Sequence, residues 1–348
     1  MTSSSSTHST PALSVVVIGR NEGQRLARCL ESIRTMRGID GEIEIIYADS
    51  GSSDGSPELA ASHGAQVISV DAERPTAALG RNAGWRRAKA DFVLFLDGDT
   101  ILDADFARAA MDAISQDSTL AVVWGHRREI HPEKSLYNRI LDLDWLYTPG
   151  IIEACGGDVL IRRKALEDVD GYDGELIAGE EPEMCRRMRA LGYRILHIDH
   201  AMTGHDLAMT RFSQYWKRAT RAGHAYAEVS RRFQESDDPF WQEDRKRNLI
   251  RGFFWMISFA VAIGISVILP SVIPLLLWFS LLFILSLRSA WKARWKSDDR
   301  VTLLLYGMHS HLQQVPICIG QLQYEFDVQR GKRRKLIEYK EPSGMRTK

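Results

Sequence analysis

The first two hundred residues alternate between two hydrophobic patterns. Short apolar runs, typical of buried strands, are followed by stretches in which apolar residues recur every three or four positions, as on one helix face. The expected strands cover 13–18, 42–48, 67–70 and 92–96, and the expected helices cover 26–33, 56–63 and 77–88. Strands that alternate with helices imply βαβ units. The pattern therefore predicts an α/β fold with a mostly parallel sheet flanked by helices.

A long uncharged stretch marks the last third of the chain. The 36 residues 252–287 contain no Asp, Glu, Lys, Arg or His. One membrane-spanning helix needs about 20 apolar residues, so the stretch is too long for one span and slightly short for two. Pro270 and Pro274 near its middle would break a single helix. These features favour a C-terminal membrane helical hairpin, with a re-entrant or interfacial helix pair as the alternative.

The charges beside this stretch predict its orientation. Basic residues flank both ends, with Arg251 directly before it and Arg288 directly after it. Because positive charge marks the cytoplasmic side of a membrane, both ends are expected in the cytoplasm. A hairpin satisfies this condition and a single span does not. A buried helix pair in a soluble protein is the less suitable interpretation of so long an uncharged run.

These patterns divide the chain into four parts. Residues 1–12 form a Ser/Thr-rich tail that we expect to be disordered, and 13–235 form the α/β domain. Residues 236–320 form a membrane-associated helical region, in which 301–320 is expected to be an interfacial amphipathic helix or a weak further span. Residues 321–348 are expected to be a basic cytoplasmic tail, suited to anionic headgroups or to water.

Composition and glycine motifs exclude several classes of protein. Basic and acidic residues number 45 each, and this balance gives no sign of a nucleic-acid-binding protein. The loops after the first two expected strands contain neither G-x-G-x-x-G nor G-x-x-x-x-G-K-[ST]. A dinucleotide-binding Rossmann fold and a P-loop are therefore not supported.

Charged side chains follow the expected strands at the points where these strands end. Asp97 and Asp99 come directly after the run 92–96, where open α/β sheets bind ligands. Two carboxylates one residue apart repel each other unless a hard cation such as Mg²⁺ or Mn²⁺ neutralises them, and such a cation brings a phosphate. Glu22 and Asp49 follow earlier strands, and carboxylates there can accept hydrogen bonds from a ribose and a base. Each motif alone is also ordinary turn chemistry, but their order predicts a nucleotide site.

The same residues carry a resemblance to a known family. The chain resembles the family 2 glycosyltransferases, which have a GT-A type fold, over roughly residues 13–198. Each motif is loose, but the ordered set is specific. The matching motifs are Asn21-Glu22, Asp49 to Asp54, Arg81-Asn82-Ala83-Gly84, Asp97-Gly98-Asp99, Gly156-Gly157-Asp158, Gly171-Tyr172-Asp173 and Gly179 to Glu183 ahead of Arg186.

The resemblance implies roles for the donor-binding residues. Glu22 and Asp49 would contact the ribose and base of the nucleotide. Asp97 would face the nucleotide sugar, and Asp99 would ligate the Mg²⁺ or Mn²⁺ that bridges the diphosphate, with Asp97 as a second candidate ligand. His205 completes the metal site in this interpretation, and a structural histidine is the alternative. On its helix, Arg81 supplies a cation that could approach the diphosphate.

The resemblance also implies an acceptor side. Gly156 and Gly157 would let the backbone approach the donor sugar or the acceptor. Glu181 matches the carboxylate of the family's E-D motif and would be the general base. Glutamate stands here where the family usually has aspartate, so Glu180 stays open as the alternative base. An acidic helix N-terminus without a catalytic role is the structural interpretation of this pair.

The implied function is inverting, metal-dependent transfer from a nucleotide-diphosphate sugar, with UDP as the default nucleotide. The acceptor would be a hydroxyl of a lipid-linked or polysaccharide substrate at the cytoplasmic face of the inner membrane, in a multi-pass protein. Gln214, Trp216 and Arg218 are similar to the Q-x-x-R-W element of processive members, but their order differs. A membrane-facing amphipathic helix and a non-processive enzyme are therefore favoured. A nucleotidyltransferase that forms nucleotide sugars and a non-catalytic membrane scaffold are the alternatives.

Overall fold

The computed structural model describes residues 10–332, and within them nine strands form one mixed sheet. The sheet order is β3-β2-β1-β4-β8-β6-β9-β5, and β7 also pairs with β9. The strands are β1 (Leu13–Gly19), β2 (Ile43–Asp49), β3 (Gln66–Ser69), β4 (Phe92–Asp97), β5 (Thr100–Leu102), β6 (Leu120–Glu129), β7 (Gly150–Ile152), β8 (Val159–Arg162) and β9 (Arg194–His205).

The two halves of the sheet differ in strand direction. The first four strands along the chain, β1 to β4, pair in parallel, as the alternating pattern predicts. In the other half β8 is antiparallel to β4 and β6, and β9 is antiparallel to β5 and β7 but parallel to β6. The α/β fold is thus confirmed, whereas "mostly parallel" describes the first half only. Antiparallel pairing does not require a crossover helix, so the local pattern did not reveal it.

Twelve α-helices lie within the described residues, and they flank the sheet or follow it. They are α1 (Gln24–Arg34), α2 (Ser56–Ser62), α3 (Ala77–Trp85), α4 (Phe106–Ser115), α5 (Leu136–Asp142), α6 (Arg163–Asp168), α7 (Glu180–Ala190), α8 (Phe212–Arg232), α9 (Gln242–Ile268), α10 (Ile273–Lys292), α11 (Arg300–Leu312) and α12 (Gln314–Gln329). The main core lies between the sheet and the early helices, with Leu26 of α1 and Phe95 of β4 fully buried.

Residues of two matched motifs hold helix α3 against the sheet. A Cβ atom on Gly84 would lie 2.2 Å from Val16 Cγ1, so this glycine lets α3 pack closely on β1. Asn82 on the same helix donates to the Tyr172 carbonyl at 2.7 Å and accepts from the Tyr172 amide at 2.9 Å. The two motifs are therefore joined in space, and they fix α3 beside the carboxyl end of β4.

The hairpin is formed by α9 and α10, which are long and apolar enough to cross a membrane by length and composition. In the most apolar part of each helix only a small share is buried, 17% in α9 and 11% in α10. Most of this apolar surface therefore faces outward. The predicted helical hairpin is confirmed, and its helices extend beyond the uncharged stretch at both ends. The segment 301–320 holds two helices rather than one, and His309 is buried in the first of them.

One expected domain boundary falls inside a helix. Helix α12 runs from Gln314 to Gln329 and crosses the expected start of the basic tail at residue 321. A Cβ atom on Gly320 of α12 would lie 2.0 Å from the Thr220 carbonyl oxygen of α8, so the two helices are in close backbone contact. The helix therefore packs on the α/β domain instead of forming a tail. The predictions for residues 1–9 and 333–348 lie outside the described residues.

Candidate active site

A cavity of about 670 Å³ opens at the carboxyl ends of β1 and β4, between the sheet and helices α7 and α8. The strand register brings these ends together, because Ile18 pairs with Asp97 across β1 and β4. The sequence-predicted residues that line it are Glu22, Arg81, Asp97, Asp99, Glu180, Glu181 and His205. Most of the expected site residues, which are distant in the chain, therefore share one cavity.

Three of these residues form a candidate metal centre. One ligand atom from each of Asp97, Asp99 and His205 lies within 4.8 Å of the other two. His205 Nε2 is 3.5 Å from Asp99 Oδ1, because β5 and β9 pair antiparallel with Thr100 opposite His205. Carboxylate oxygens with one imidazole nitrogen form a donor set that suits Mn²⁺, and the carboxylates alone suit Mg²⁺. The residues present therefore fit a divalent cation.

Arg81 has a different environment from the one expected. Its guanidinium is buried and lies 3.1 Å from Asp97 Oδ1, 3.1 Å from Glu180 Oε1 and 3.0 Å from Glu181 Oε1. A cation shared by three carboxylates is a structural link between the ends of β4 and α7. The contact with a diphosphate that the sequence suggested would therefore compete with these three ion pairs.

Glu181 combines partial exposure with a raised pKa. Both glutamates stand at the start of α7, but Glu180 is almost fully buried whereas the Glu181 side chain is 15% exposed. Burial, together with the neighbouring charge of Glu180, raises the pKa of Glu181 to about 7, although Arg81 opposes the shift. A carboxyl group with a pKa near neutral pH is suited to accept a proton in a reaction. The geometry favours Glu181 over Glu180 as the base candidate.

Two residues outside the expected site hold Asp97 in place. Arg127 of β6 donates to Asp97 Oδ2 at 3.2 Å, and its guanidinium lies 5.1 Å from the Trp145 ring centroid. Asp158 accepts the Asp97 backbone amide at 2.9 Å and the Thr203 hydroxyl at 2.8 Å. Burial raises the pKa of Asp158 to about 6, with the Arg127 charge opposing. Asp158 directly follows the matched pair Gly156-Gly157, so this motif is the sequence signal that could have identified it.

The two glycines of that pair have different surroundings. A Cβ atom on Gly157 would lie 2.3 Å from Arg81 Nη2 and 3.2 Å from Asp97 Oδ2. A Cβ atom on Gly156 would meet nothing within 4 Å. Gly157 therefore makes room for the ion pair between Arg81 and Asp97, a role that differs from the expected approach to donor or acceptor. Cys155, just before the pair, lines the cavity.

The two upstream carboxylates are placed differently from each other. Glu22 lines the cavity and lies 2.8 Å from Arg25 Nη2. Asp49 is buried, and its carboxylate accepts the Tyr47 hydroxyl at 3.1 Å and the amides of Gly51 and Ser52 at 3.0 and 2.8 Å. Among the described residues, its neighbour Ser50 lines the cavity and Asp49 does not. Asp49 thus shapes the loop beside the expected nucleotide site.

Helix α8 contributes two arginines to the cavity. Arg218 and Arg221 both line the cavity, and Arg221 Nε donates to the Ile177 carbonyl at 3.1 Å. Helix α8 packs between the α/β domain and α12. This packing turns one face of α8 toward the site. The cavity therefore receives two arginines from the helix that the sequence pattern predicts to face the membrane.

Comparison with known proteins agrees with this geometry. Residues 14–170 match the family description "Glycosyl transferase family 2". The chain carries a family 2 glycosyltransferase domain. This confirms the resemblance drawn from the ordered motifs, and it identifies residues 14–170 as a glycosyltransferase domain.

Two curated relatives carry related names. Glycosyltransferase AglE of Haloferax volcanii is 22% identical over 234 residues, which cover 64% of this chain and 75% of AglE. Poly-beta-1,6-N-acetyl-D-glucosamine synthase of Staphylococcus aureus strain COL is 27% identical over 223 residues, which cover 60% of this chain and 53% of the synthase. The matched region thus spans about half the length of that synthase.

Two solved structures share the fold. The mannosyltransferase PcManGT from Pyrobaculum calidifontis, in complex with GDP-Man and Mn²⁺, has a TM-score of 0.64 at 16% identity and covers 92% of this chain and 88% of its own. TarS 1–349 of S. aureus, in complex with UDP-GlcNAc, has a TM-score of 0.51 at 14% identity and covers 92% of both chains. At these identities the likeness concerns the fold, and it confirms the GT-A architecture of the glycosyltransferase domain.

Proposed function

We propose that the protein transfers a sugar from a nucleotide-diphosphate sugar to an acceptor hydroxyl, with inversion at the anomeric carbon. The observation that carries this proposal is the shared cavity, in which the candidate metal centre and the neutral-range carboxyl group of Glu181 both lie. A donor whose diphosphate lies at the metal centre and an acceptor hydroxyl that lies at Glu181 would both fit in this cavity.

Asp97, Asp99 and His205 would hold the divalent cation. When bound, Mg²⁺ or Mn²⁺ supplies positive charge to the departing nucleoside diphosphate. The PcManGT structure contains Mn²⁺, which supports this choice of cation. Glu22, together with Asp49 in the adjacent loop, is our candidate for contacts to the ribose and base.

Glu181 would act on the acceptor. With its pKa raised to about 7, its carboxylate is suited to take the proton of the attacking hydroxyl near neutral pH. Both Asp97 oxygens accept from guanidinium groups, Oδ1 from Arg81 and Oδ2 from Arg127, which lowers their nucleophilicity. A single displacement by the acceptor therefore fits the site better than a covalent intermediate, and this supports inversion.

The acceptor and location are also part of the proposal. The outward-facing apolar surface of the α9–α10 hairpin supports membrane association, and its basic flanks support a cytoplasmic catalytic domain at the inner membrane. A lipid-linked or glycan acceptor suits an enzyme held there, and non-processive transfer remains our expectation. UDP is our default donor nucleotide, while GDP-Man in PcManGT supports testing GDP-sugars equally.

The test is donor turnover by the full chain purified in detergent. A panel of UDP- and GDP-sugars is supplied with Mn²⁺ or Mg²⁺, and released nucleoside diphosphate is measured with and without lipid-linked or glycan acceptors. We expect one donor to be used, with turnover lost on chelation and reduced in Asp99→Asn at a fixed metal concentration. Release of pyrophosphate from a nucleoside triphosphate and a sugar phosphate would identify a nucleotidyltransferase instead. Indifference to every donor and acceptor would overturn the proposal.

A further inference from the structure

The tip of the α9–α10 hairpin is apolar without interruption. Residues 263–277 contain no charged residue and no His, Asn, Gln, Trp or Tyr, and Ser266 and Ser271 are their only hydroxyl side chains. The side chains at the tip face outward, with Ile268 77% exposed and Val272 68% exposed. A hairpin that crosses a membrane brings its tip through the far headgroup layer into water. Chain segments at that level normally carry polar and aromatic anchors.

The apolar segments of the hairpin are also short in comparison with the thickness of a bilayer. Arg251 and Arg288 mark the base of the hairpin, and the uncharged part of α10 extends from Ile273 to Leu287. At 1.5 Å per residue this part is about 22 Å long, and the corresponding part of α9 is about 26 Å long. The hydrocarbon core of a bilayer is about 30 Å thick. The uncharged parts of α9 and α10 are therefore shorter than the hydrocarbon core of a typical bilayer.

The turn between the helices leaves few amide groups in need of water. The Leu269 amide donates to the Ile265 carbonyl at 2.9 Å, and the Ser271 amide donates to the Ser266 carbonyl at 3.1 Å. The Ile273 amide donates to Ser271 Oγ at 3.2 Å. Pro270 and Pro274 have no amide hydrogen at all. Because an unsatisfied amide is costly in hydrocarbon, these contacts lower the cost of placing the turn there.

Aromatic anchors lie at one end of the hairpin. Trp291 and Trp295 follow Arg288 and are 67% and 55% exposed, with the Arg294 guanidinium 4.4 Å from the Trp291 ring centroid. Amphipathic rings beside basic groups are typical of the headgroup layer. Farther along the hairpin, Trp278 directs its indole N–H to Ser258 Oγ at 3.0 Å, within the helix pair. Among the described residues of the hairpin and its flanks, these exposed tryptophans beside basic groups therefore lie at the base.

We propose that the hairpin is re-entrant: it enters the membrane from the face that carries the catalytic domain and ends among the lipid acyl chains. Its partner is the hydrocarbon of the bilayer, and Pro270 and Ser271 lie inside it. Both ends of the hairpin stay on one side, in agreement with their basic flanks. This replaces the expected multi-pass topology with insertion from one face, and it makes no use of the transfer reaction.

Depth-dependent fluorescence quenching tests the position of the tip. The Ser271→Cys variant carries an environment-sensitive fluorophore in liposomes, with Asp298→Cys at the base as the matched control and the unsubstituted protein as the background from four buried cysteines. We expect spin labels on acyl chains to quench the tip and iodide on both membrane faces to leave it unquenched. The control should show the reverse. Iodide quenching at residue 271 equal to that at 298 would overturn the proposal, whether the hairpin crosses or stays in water.

A charge at the tip provides a second measurement. Lysine at position 271 would lie in hydrocarbon in our topology, so Ser271→Lys should lower the fraction of protein that floats with liposomes by about tenfold. In a hairpin that crosses the membrane, the same lysine would reach water and flotation would be retained. Asp298→Lys is the control, because it adds the same side chain at the basic end. Full flotation of Ser271→Lys contradicts the proposal, and neither readout depends on sugar transfer.

Discussion

Replacing Glu180 with glutamine tests the cause of the raised Glu181 pKa. The Oε1 atoms of the two glutamates lie 3.1 and 3.0 Å from the same nitrogen of Arg81. Glutamine keeps the size of Glu180 and an oxygen that can accept from Arg81, but it removes the negative charge. Since that charge disfavours ionisation of Glu181, its removal should lower the Glu181 pKa.

The magnitude follows from the shared contact. Two oxygens that each lie near one nitrogen are within about 6 Å of each other, where unit charges repel by about 2.8 kcal/mol at an effective dielectric constant of about 20. This repulsion corresponds to a pKa change of about 2 units. For a base with a pKa near 7, the rate at pH 6 relative to the plateau should therefore rise about tenfold.

The assay is the pH dependence of kcat/KM, measured as released nucleoside diphosphate between pH 5 and 9. In the unsubstituted enzyme the rate should rise through pH 7, because Glu181 must lose its proton to act as a base. Glu183→Gln is a matched control on the same helix, where Glu183 pairs with Arg187 at 2.7 Å. The apparent pKa on the acidic side of the pH profile should fall in Glu180→Gln. If it does not change, or if it changes equally in Glu183→Gln, the reasoning is refuted.

Three further substitutions test the site and the helix packing. Asp99→Asn should weaken activation by Mn²⁺ at least tenfold, measured as the metal concentration for half-maximal rate. Gly157→Ala should cost about 1–3 kcal/mol of stability and weaken donor binding, whereas Gly156→Ala, with open space around it, should be neutral in thermal unfolding and calorimetry. Gly320→Ala should lower the unfolding temperature in detergent by several degrees because its Cβ meets a carbonyl oxygen, whereas Gly264→Ala should not.

The order of strands, helices and motifs could be predicted because each depends on neighbouring residues. The run before Asp97 is apolar enough to be a buried strand, and the uncharged stretch from 252 to 287 is long enough for a hairpin. The antiparallel half of the sheet was not predicted, since the pairing of β8 with β4 joins segments about sixty residues apart. The close contact of α12 with α8 was missed because a glycine in an apolar helix gives no sign of its partner.

For the site, the sequence by itself determined the chemistry, and the tertiary structure decided which groups are available to use it. Carboxylates at strand ends and the ordered motifs indicated a nucleotide-sugar enzyme before any contact was known. Only the fold placed Arg81 among three carboxylates and turned Arg218 toward the cavity. Likewise, only the register of β5 on β9 brought His205 to Asp99. Periodicity is a local property, whereas ion pairs and pKa values depend on groups that meet only after the chain has packed.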